Sequence, residues 1–188
     1  MSRFLCLLPL ILLTACAGLQ PKPPAPPPPP PSEFIVPEGA EFVSGLFGYS
    51  QAARTGPWIT VSAQPGFDIA KRGFPEAFPE QVAAAFDNLK TVLEAAGASM
   101  TDVVEITTYQ LDMQKFNEVV DARNEAFGEH RPTWTAVGVS GLPLPSMQFQ
   151  ISARAFVGGS NARPLPQEKA EPKAQPEFPK RFMNRPGY

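Results

Sequence analysis

Few side chains in this 188-residue sequence can do covalent chemistry. Its two cysteines, Cys6 and Cys16, both lie close to the amino terminus, and His130 is its one histidine. A thiolate nucleophile, a disulfide, a histidine-rich metal centre or a Ser-His catalytic pair each needs more than this supply offers. No metal and no cofactor is therefore expected. Beside the histidine runs "HRPTWTAVGVSGLP", His130 to Pro143, which reads as a strand entering a turn with an indole, Trp134, where the strand begins. Indole faces favour stacking and cation–π contact, and the ring offers one N–H donor and no charge. Trp134 and Trp58 can form an aromatic wall for an uncharged or cationic ligand, or Trp134 can simply fill space, and the sequence leaves both readings open.

The elements that must position these groups lie between two unusual flanks. Residues 1–15 read as an export signal, with Arg3 before the apolar run Phe4 to Leu13, which is too short for the roughly 20 residues of a bilayer span. The ending Leu13-Thr14-Ala15-Cys16 resembles the lipobox of bacterial lipoproteins. That resemblance implies cleavage before Cys16, lipidation of its thiol and a place in the bacterial cell envelope. Ala17 rather than Asp after the cysteine points to the outer membrane, facing the periplasm. Two or more acyl chains, at about 0.8 kcal/mol per buried methylene, would anchor the protein stably. Residues 16–33 then form a linker: proline fills nine of the eleven positions from Pro21 to Pro31, which favours an extended polyproline spacer over a folded core.

Charge is divided unevenly. Between Glu33 and Val157 there are 8 basic and 15 acidic side chains, a net −7, whereas Gly158 to Tyr188 carries 6 basic and 3 acidic, a net +3. An acidic body argues against nucleic acid as a partner. Residues 158–188, rich in proline and charge and poor in aliphatics, are expected to be a disordered basic tail.

Residues 34–157 switch hydrophobic period several times, as one α+β domain should. "FPEQVAAAFDNLKTVLEAAG" places Val82, Ala85, Phe86, Leu89, Leu93 and Ala96 on one helical face, with Pro79 in the first turn and Gly97 at the end. Val103 to Leu111 is β-branched and aromatic, a central strand apolar on both faces. A second helix, capped by Asp112, carries Phe116, Val119, Val120, Arg123 and Phe127 on one stripe. "TWTAVGVS" and "MQFQISARAFV" read as strands, the latter alternating strictly, and Gly56-Pro57 turns an opening hairpin into a strand over Trp58 to Gln64. The predicted order is ββ-α-β-α-ββ: a mixed sheet with two helices on one face, and self-association to cover the other.

Taken together, "GYSQAARTGPWITVSAQ", "NLKTVLEAAGASMTDVVEITTYQLDMQKFNEV", "AFGEHRPTWTAVGVSGLP" and "QISARAFV" resemble the Rid family, the reactive intermediate deaminases, over roughly Phe47 to Val157. The resemblance implies a chorismate-mutase-like α+β fold, a homotrimer with a central barrel, and small-molecule clefts between subunits in which active members hydrolyse imines and enamines. A 2-imino acid needs a guanidinium for its carboxylate and an acid or base to position water. The family's arginine falls at Trp134, its water-activating carboxylate at Ser152, a cleft asparagine at Val120 and a common cysteine at Ala136. An indole cannot supply the bidentate clamp. Tyr49 and Ser62 do match cleft residues, and the backbone at Ala63 can present an N–H. The expectation is a binding or scaffold protein that has lost the inherited chemistry. The alternative is a hydrolase with a rearranged site built from Tyr49, Ser62 and Arg154, with Arg123 a second candidate cation.

Overall fold

The computed structural model describes residues 27–158. The expected signal, Cys16, most of the proline-rich linker and the tail after Gly158 lie outside them. Six strands form one sheet in the order β1-β2-β3-β6-β4-β5: β1 (Ser32–Ile35), β2 (Ala52–Thr55), β3 (Trp58–Pro65), β4 (Val103–Gln110), β5 (Thr133–Gly138) and β6 (Phe149–Phe156). Every neighbouring pair is antiparallel except β4 and β5. Helix α1 (Glu41–Phe47) joins β1 to β2, α2 (Phe78–Ala95) joins β3 to β4, and α3 (Phe116–Phe127) makes the crossover that parallel β4 and β5 require.

The sheet has one dry face. In β6, Phe149, Ile151, Ala153 and Ala155 are buried, while Gln150, Ser152, Arg154 and Phe156 point to the other side and keep solvent access. Ile59 and Val61 of β3 and Ile106 of β4 extend the buried surface, and α2 covers it with the stripe its spacing predicts: Val82, Ala85, Phe86, Leu89, Leu93 and Ala96 are all buried. Phe86 stacks on Phe149 and meets Phe127 of α3 edge to face. Gly97, at φ 76°, reverses the chain after α2, and the Ala98 N–H reaches back to the Leu93 carbonyl at 2.8 Å.

Several expectations need correction. A strand and a helix precede the predicted hairpin: β1 starts at Ser32, inside the stretch assigned to the linker, and α1 buries none of its residues. Neither has a periodic apolar face that a sequence could betray; β1 is held by its ladder with β2 and by a Ser32–Thr55 hydroxyl contact at 2.7 Å. Strand β4 is not apolar on both faces. Val103, Ile106, Thr108 and Gln110 are buried, whereas Glu105, Thr107 and Tyr109 face the open side. Asp112 caps a short 3-10 turn, accepting from the Gln114 N–H at 2.9 Å, and α3 begins only at Phe116.

One side chain fastens the helix layer to the sheet. Gln81, 1% exposed, donates to the Pro75 and Ser146 carbonyls at 2.8 Å each and accepts from the Gln148 N–H at 3.0 Å. Nearby, Gly66 lies so close to α2 that an added Cβ would stand 1.9 Å from the Gln81 carbonyl oxygen. Three variants test this by denaturant unfolding. Gln81→Leu strands two carbonyls and an N–H and should cost about 3 kcal/mol. Gly66→Ala forces backbone from backbone and should cost about 3 kcal/mol or prevent folding. Gly141→Ala, with nothing within 4 Å of the new carbon, should change stability by less than about 0.5 kcal/mol. Equal stability of Gly66→Ala and Gly141→Ala would contradict this packing.

Candidate functional site

The open face of the sheet carries a groove of about 560 Å³. Its floor is built by alternation: Thr60 and Ser62 from β3, Thr107 from β4 and Ser152 from β6 all project to this side, with Glu105 and Arg154 at one end and Tyr109 and Gln150 at the other. Val139, Gly141 and Leu142, in the loop after β5, form a rim. A β-bulge shapes the floor. Val61 pairs with Ala153 and Gln64 with Ile151, so Ser62 and Ala63 together oppose the single residue Ser152.

Of the predicted site residues, Ser62, Ala63, Ser152 and Arg154 meet in this groove. Their bonding limits what they can do. The Ser62 hydroxyl donates to the Ser50 carbonyl at 2.9 Å and its N–H to the Gln51 carbonyl at 2.8 Å, so its donors tie the opening segment to β3. Arg154 Nη1 stands 3.8 Å from Glu105 Oε2 across the ladder, with both side chains well exposed. An ion pair of this kind contributes at most about 1 kcal/mol and leaves the guanidinium partly committed. The sequence alone does not mark Glu105, Thr107, Tyr109 and Gln150 as site residues. Gln150 lies on the polar side of a strictly alternating strand, and the other three share the alternate positions of β4, which its overall β-branched character masks.

Tyr49, Val120, Trp134 and Ala136 do not line the groove. Tyr49 is half-buried before β2, its carbonyl accepts from the Ser44 hydroxyl, and burial raises its phenol above the ordinary value. Trp134 and Ala136 belong to β5 and pair with Ile106 and Thr108, both buried, on the helix-covered side. There the indole stacks on Phe116 at 5.1 Å between ring centroids, donates Nε1–H to the Thr108 hydroxyl at 3.0 Å and packs against the core. Trp58 faces the open side, half exposed, edge-on to Phe156 at 4.9 Å. Two strands separate β3 from β5, so the two tryptophans form no common wall within the chain. His130 turns Nε2 to the Val103 carbonyl. Among the described residues no three His, Cys, Asp or Glu side chains gather as metal ligands.

Arg123 is the unexpected member of the Trp134 neighbourhood. Only 7% exposed, its guanidinium lies 5.7 Å from the Trp134 ring and 6.0 Å from that of Phe127. Burial, and then the positive charge of Arg131, pull its pKa down from the ordinary arginine value. The predicted cleft residues thus form two sets: Ser62, Ala63 and Ser152 on the open face, and Trp134 and Ala136 under α3 at the edge strand β5, with Val120 half-buried on α3 itself.

Comparison with known proteins now assigns the fold to a family. The family model described as Endoribonuclease L-PSP matches residues 43–157. The RutC family protein YjgH of Escherichia coli (strain K12) is 35% identical over 123 residues, covering 64% of this chain and 92% of that protein. A 2-iminobutanoate/2-iminopropanoate deaminase of Dermatophagoides farinae is 32% identical over 96 residues, covering 50% of this chain and 75% of the relative. Among solved structures, a member of the YjgF/YER057c/UK114 family from Mycobacterium tuberculosis superposes with a TM-score of 0.59 at 31% identity, covering 68% of this chain and all of that one. A mixed sheet backed by helices on one face, matched through sequence and structure over the whole span from α1 to the end of β6, makes this chain a member of the Rid (YjgF, Endoribonuclease L-PSP) family.

Proposed function

We propose that this chain is a homotrimeric, envelope-tethered member of its family that binds a small molecule and does not hydrolyse imines through an arginine clamp. One observation carries the reading: Trp134, at the position where the family's arginine is expected, is engaged on both its face and its N–H as a packing element. An indole stacked on Phe116 and bonded to Thr108 has no donor left for a substrate carboxylate. Val120 and Ala136 offer no polar side chain to replace it. In the groove, the Ser62 hydroxyl donates to a carbonyl, and the one histidine, His130, is directed at the Val103 carbonyl, so neither forms a nucleophile with its base.

The trimeric part of the reading is supported by the separation of the two residue sets. One chain cannot bring the open face of its sheet against its own β5 edge beneath α3; a second copy laid across that edge can. The exposed Trp58, Val104 and Leu111 would be covered in such an assembly. The tether rests on the Leu-Thr-Ala-Cys sequence and the proline-rich spacer that follows it. Three lipid anchors on one assembly would make release very slow. A nuclease activity of the kind named in the family's description is disfavoured by the domain's net −7, which repels phosphate, and by Glu105 in the groove. A rearranged hydrolase is the second reading, favoured by Ser62 and Arg154 sharing one groove, although Tyr49 stands outside it.

Ammonia release from freshly generated 2-iminobutanoate tests the chemistry. The wild-type protein should release no more than buffer, and Trp134→Arg should remain inactive, since Val120 and Ser152 still lack the groups that position water. Turnover by wild type comparable to that of an active deaminase would overturn the reading, and loss of that turnover in Ser62→Ala and Arg154→Ala would install the hydrolase in its place. The tether is tested separately: Cys16→Ala should move the protein from the membrane fraction to the soluble one, and a variant that stays with the membrane would refute lipid anchoring.

A further inference from the structure

Helix α1 carries an uncovered apolar face. It buries none of its residues, and Phe42, Leu46 and Phe47 are 77%, 62% and 52% exposed. Phe42 and Leu46, four positions apart, share one ridge of the helix. A helix of seven residues is too short to persist on its own hydrogen bonds, and the Ser44 hydroxyl ties it only to the Tyr49 carbonyl and the Gln51 side chain. Its surroundings are acidic. Residues 32–53 hold Glu33, Glu38 and Glu41, all exposed, and no lysine or arginine. Among the described residues none of the three forms an ion pair, and Arg54, opposite Glu33 on β2, is occupied by the Gly56 and Ala96 carbonyls.

Charge decides what can cover this face. Glu38 and Glu41 repel an anionic lipid surface, and they repel a second copy of a domain whose net charge is −7. A basic segment with aromatic side chains is attracted on both counts. Residues 178–188, "FPKRFMNRPGY", have that composition: Lys180, Arg181 and Arg185 without an acid, set among Phe178, Phe182 and Tyr188. The other exposed apolar side chains suit it less. Ile69 is followed by Lys71 and Arg72, Met113 by Lys115, and Trp58 shares its face of the sheet with Arg154. The chain is also long enough. The Val157 N–H donates to the Pro57 carbonyl at 2.8 Å, so β6 ends beside the turn between β2 and β3. From there α1 lies three strand spacings across the sheet and one short strand along it, about 20 Å, whereas the twenty residues 159–178 can span up to about 66 Å.

We infer that residues 178–188 dock on α1, with their aromatic rings on the Phe42–Leu46 ridge and Lys180, Arg181 and Arg185 beside Glu38 and Glu41. Exposed ion pairs contribute little singly, so burial of the rings supplies most of the hold and charge supplies the choice of site. A contact within one chain forms at an effective concentration of roughly millimolar, so it need not be strong. Docked there, the tail braces the segment that leads from α1 to Ser50, whose carbonyl receives the Ser62 hydroxyl. The inference stands on α1 and the tail alone and is independent of the small-molecule and tether readings.

The test is amide hydrogen exchange, read by mass spectrometry, on the full-length protein in neutral phosphatidylcholine nanodiscs, with the buried helix α2 as the internal reference. Relative to α2, α1 should exchange about threefold or more slowly in wild type than in a protein truncated after Glu177. Glu38→Lys with Glu41→Lys should abolish that difference, and so should Lys180→Glu with Arg181→Glu. All four substitutions together should restore most of it, a recovery that a helix frayed by its new lysines would not show. Added salt should weaken the protection. Equal exchange of α1 in the wild-type and truncated proteins overturns the inference: if α1 is protected in both, lipid or a neighbouring copy covers it, and if in neither, nothing does. Protection by the tail that appears on another element and not on α1 places the tail elsewhere and overturns the inference as well.

Discussion

The two-residue period of the central strand β6 governs the layout of the molecule. Phe149, Ile151, Ala153 and Ala155 must lie on one side of the pleat and Gln150, Ser152 and Arg154 on the other, and a slip of one residue would exchange them. Burial of the first set under α2 fixes that register, and Gln81 reinforces it by bonding the loop and backbone that lead into the strand. Once β6 is set, its ladders with β3 and β4 assign the faces of those strands as well. The groove and the core are therefore two sides of one constraint, and a substitution that disturbs the packing of Phe149 should be felt at Ser152.

The same constraint places Trp134 where it cannot serve the groove. Strand β5 runs parallel to β4 and in register with Ile106 and Thr108, so alternate residues Trp134 and Ala136 turn under α3. The indole finds a ring and a hydroxyl waiting there, and Arg123 lies against it. The residues that the family resemblance gathers into one cleft lie, in a single chain, on opposite faces of a sheet. The groove supplies hydroxyls and an exposed ion pair; the β5 edge supplies aromatic surface and an unsatisfied guanidinium. The second is the more unusual in energetic terms, because exposed hydroxyls and ion pairs cost little in water whereas an unpaired buried cation costs a good deal.

Much of the fold is legible in the sequence because its long elements carry strong periods. The α2 stripe, the alternation of β6 and the Gly56-Pro57 hairpin all rest on spacing that one face of one element must satisfy. The segments that escape are β1 and α1, which bury almost nothing and owe their form to pairing and connection, and the alternation of β4, where threonines and a tyrosine imitate an apolar run. The site is less legible. Sequence position identifies Ser62, Ala63, Ser152 and Arg154 as candidates, but not which side of the sheet each reaches, nor that Trp58 and Trp134 are kept apart. Arg123 could be suspected as a substitute cation; only the packing of α3 shows that it has no counterion among the described residues and that its guanidinium lies against the Trp134 ring.

Trp134 as a packed, hydrogen-bonded ring is what closes the position where the family's arginine is expected. Steady-state fluorescence of a Trp58→Phe protein, in which Trp134 is the sole indole, reads this directly. Its emission should be shifted to the blue of free N-acetyltryptophanamide, with acrylamide quenching several-fold weaker, and both should move toward the free value in a Thr108→Val, Phe116→Ala background. Emission and quenching equal to those of the free indole would mean that Trp134 swings into solvent, and that the position thought to be filled is an open one.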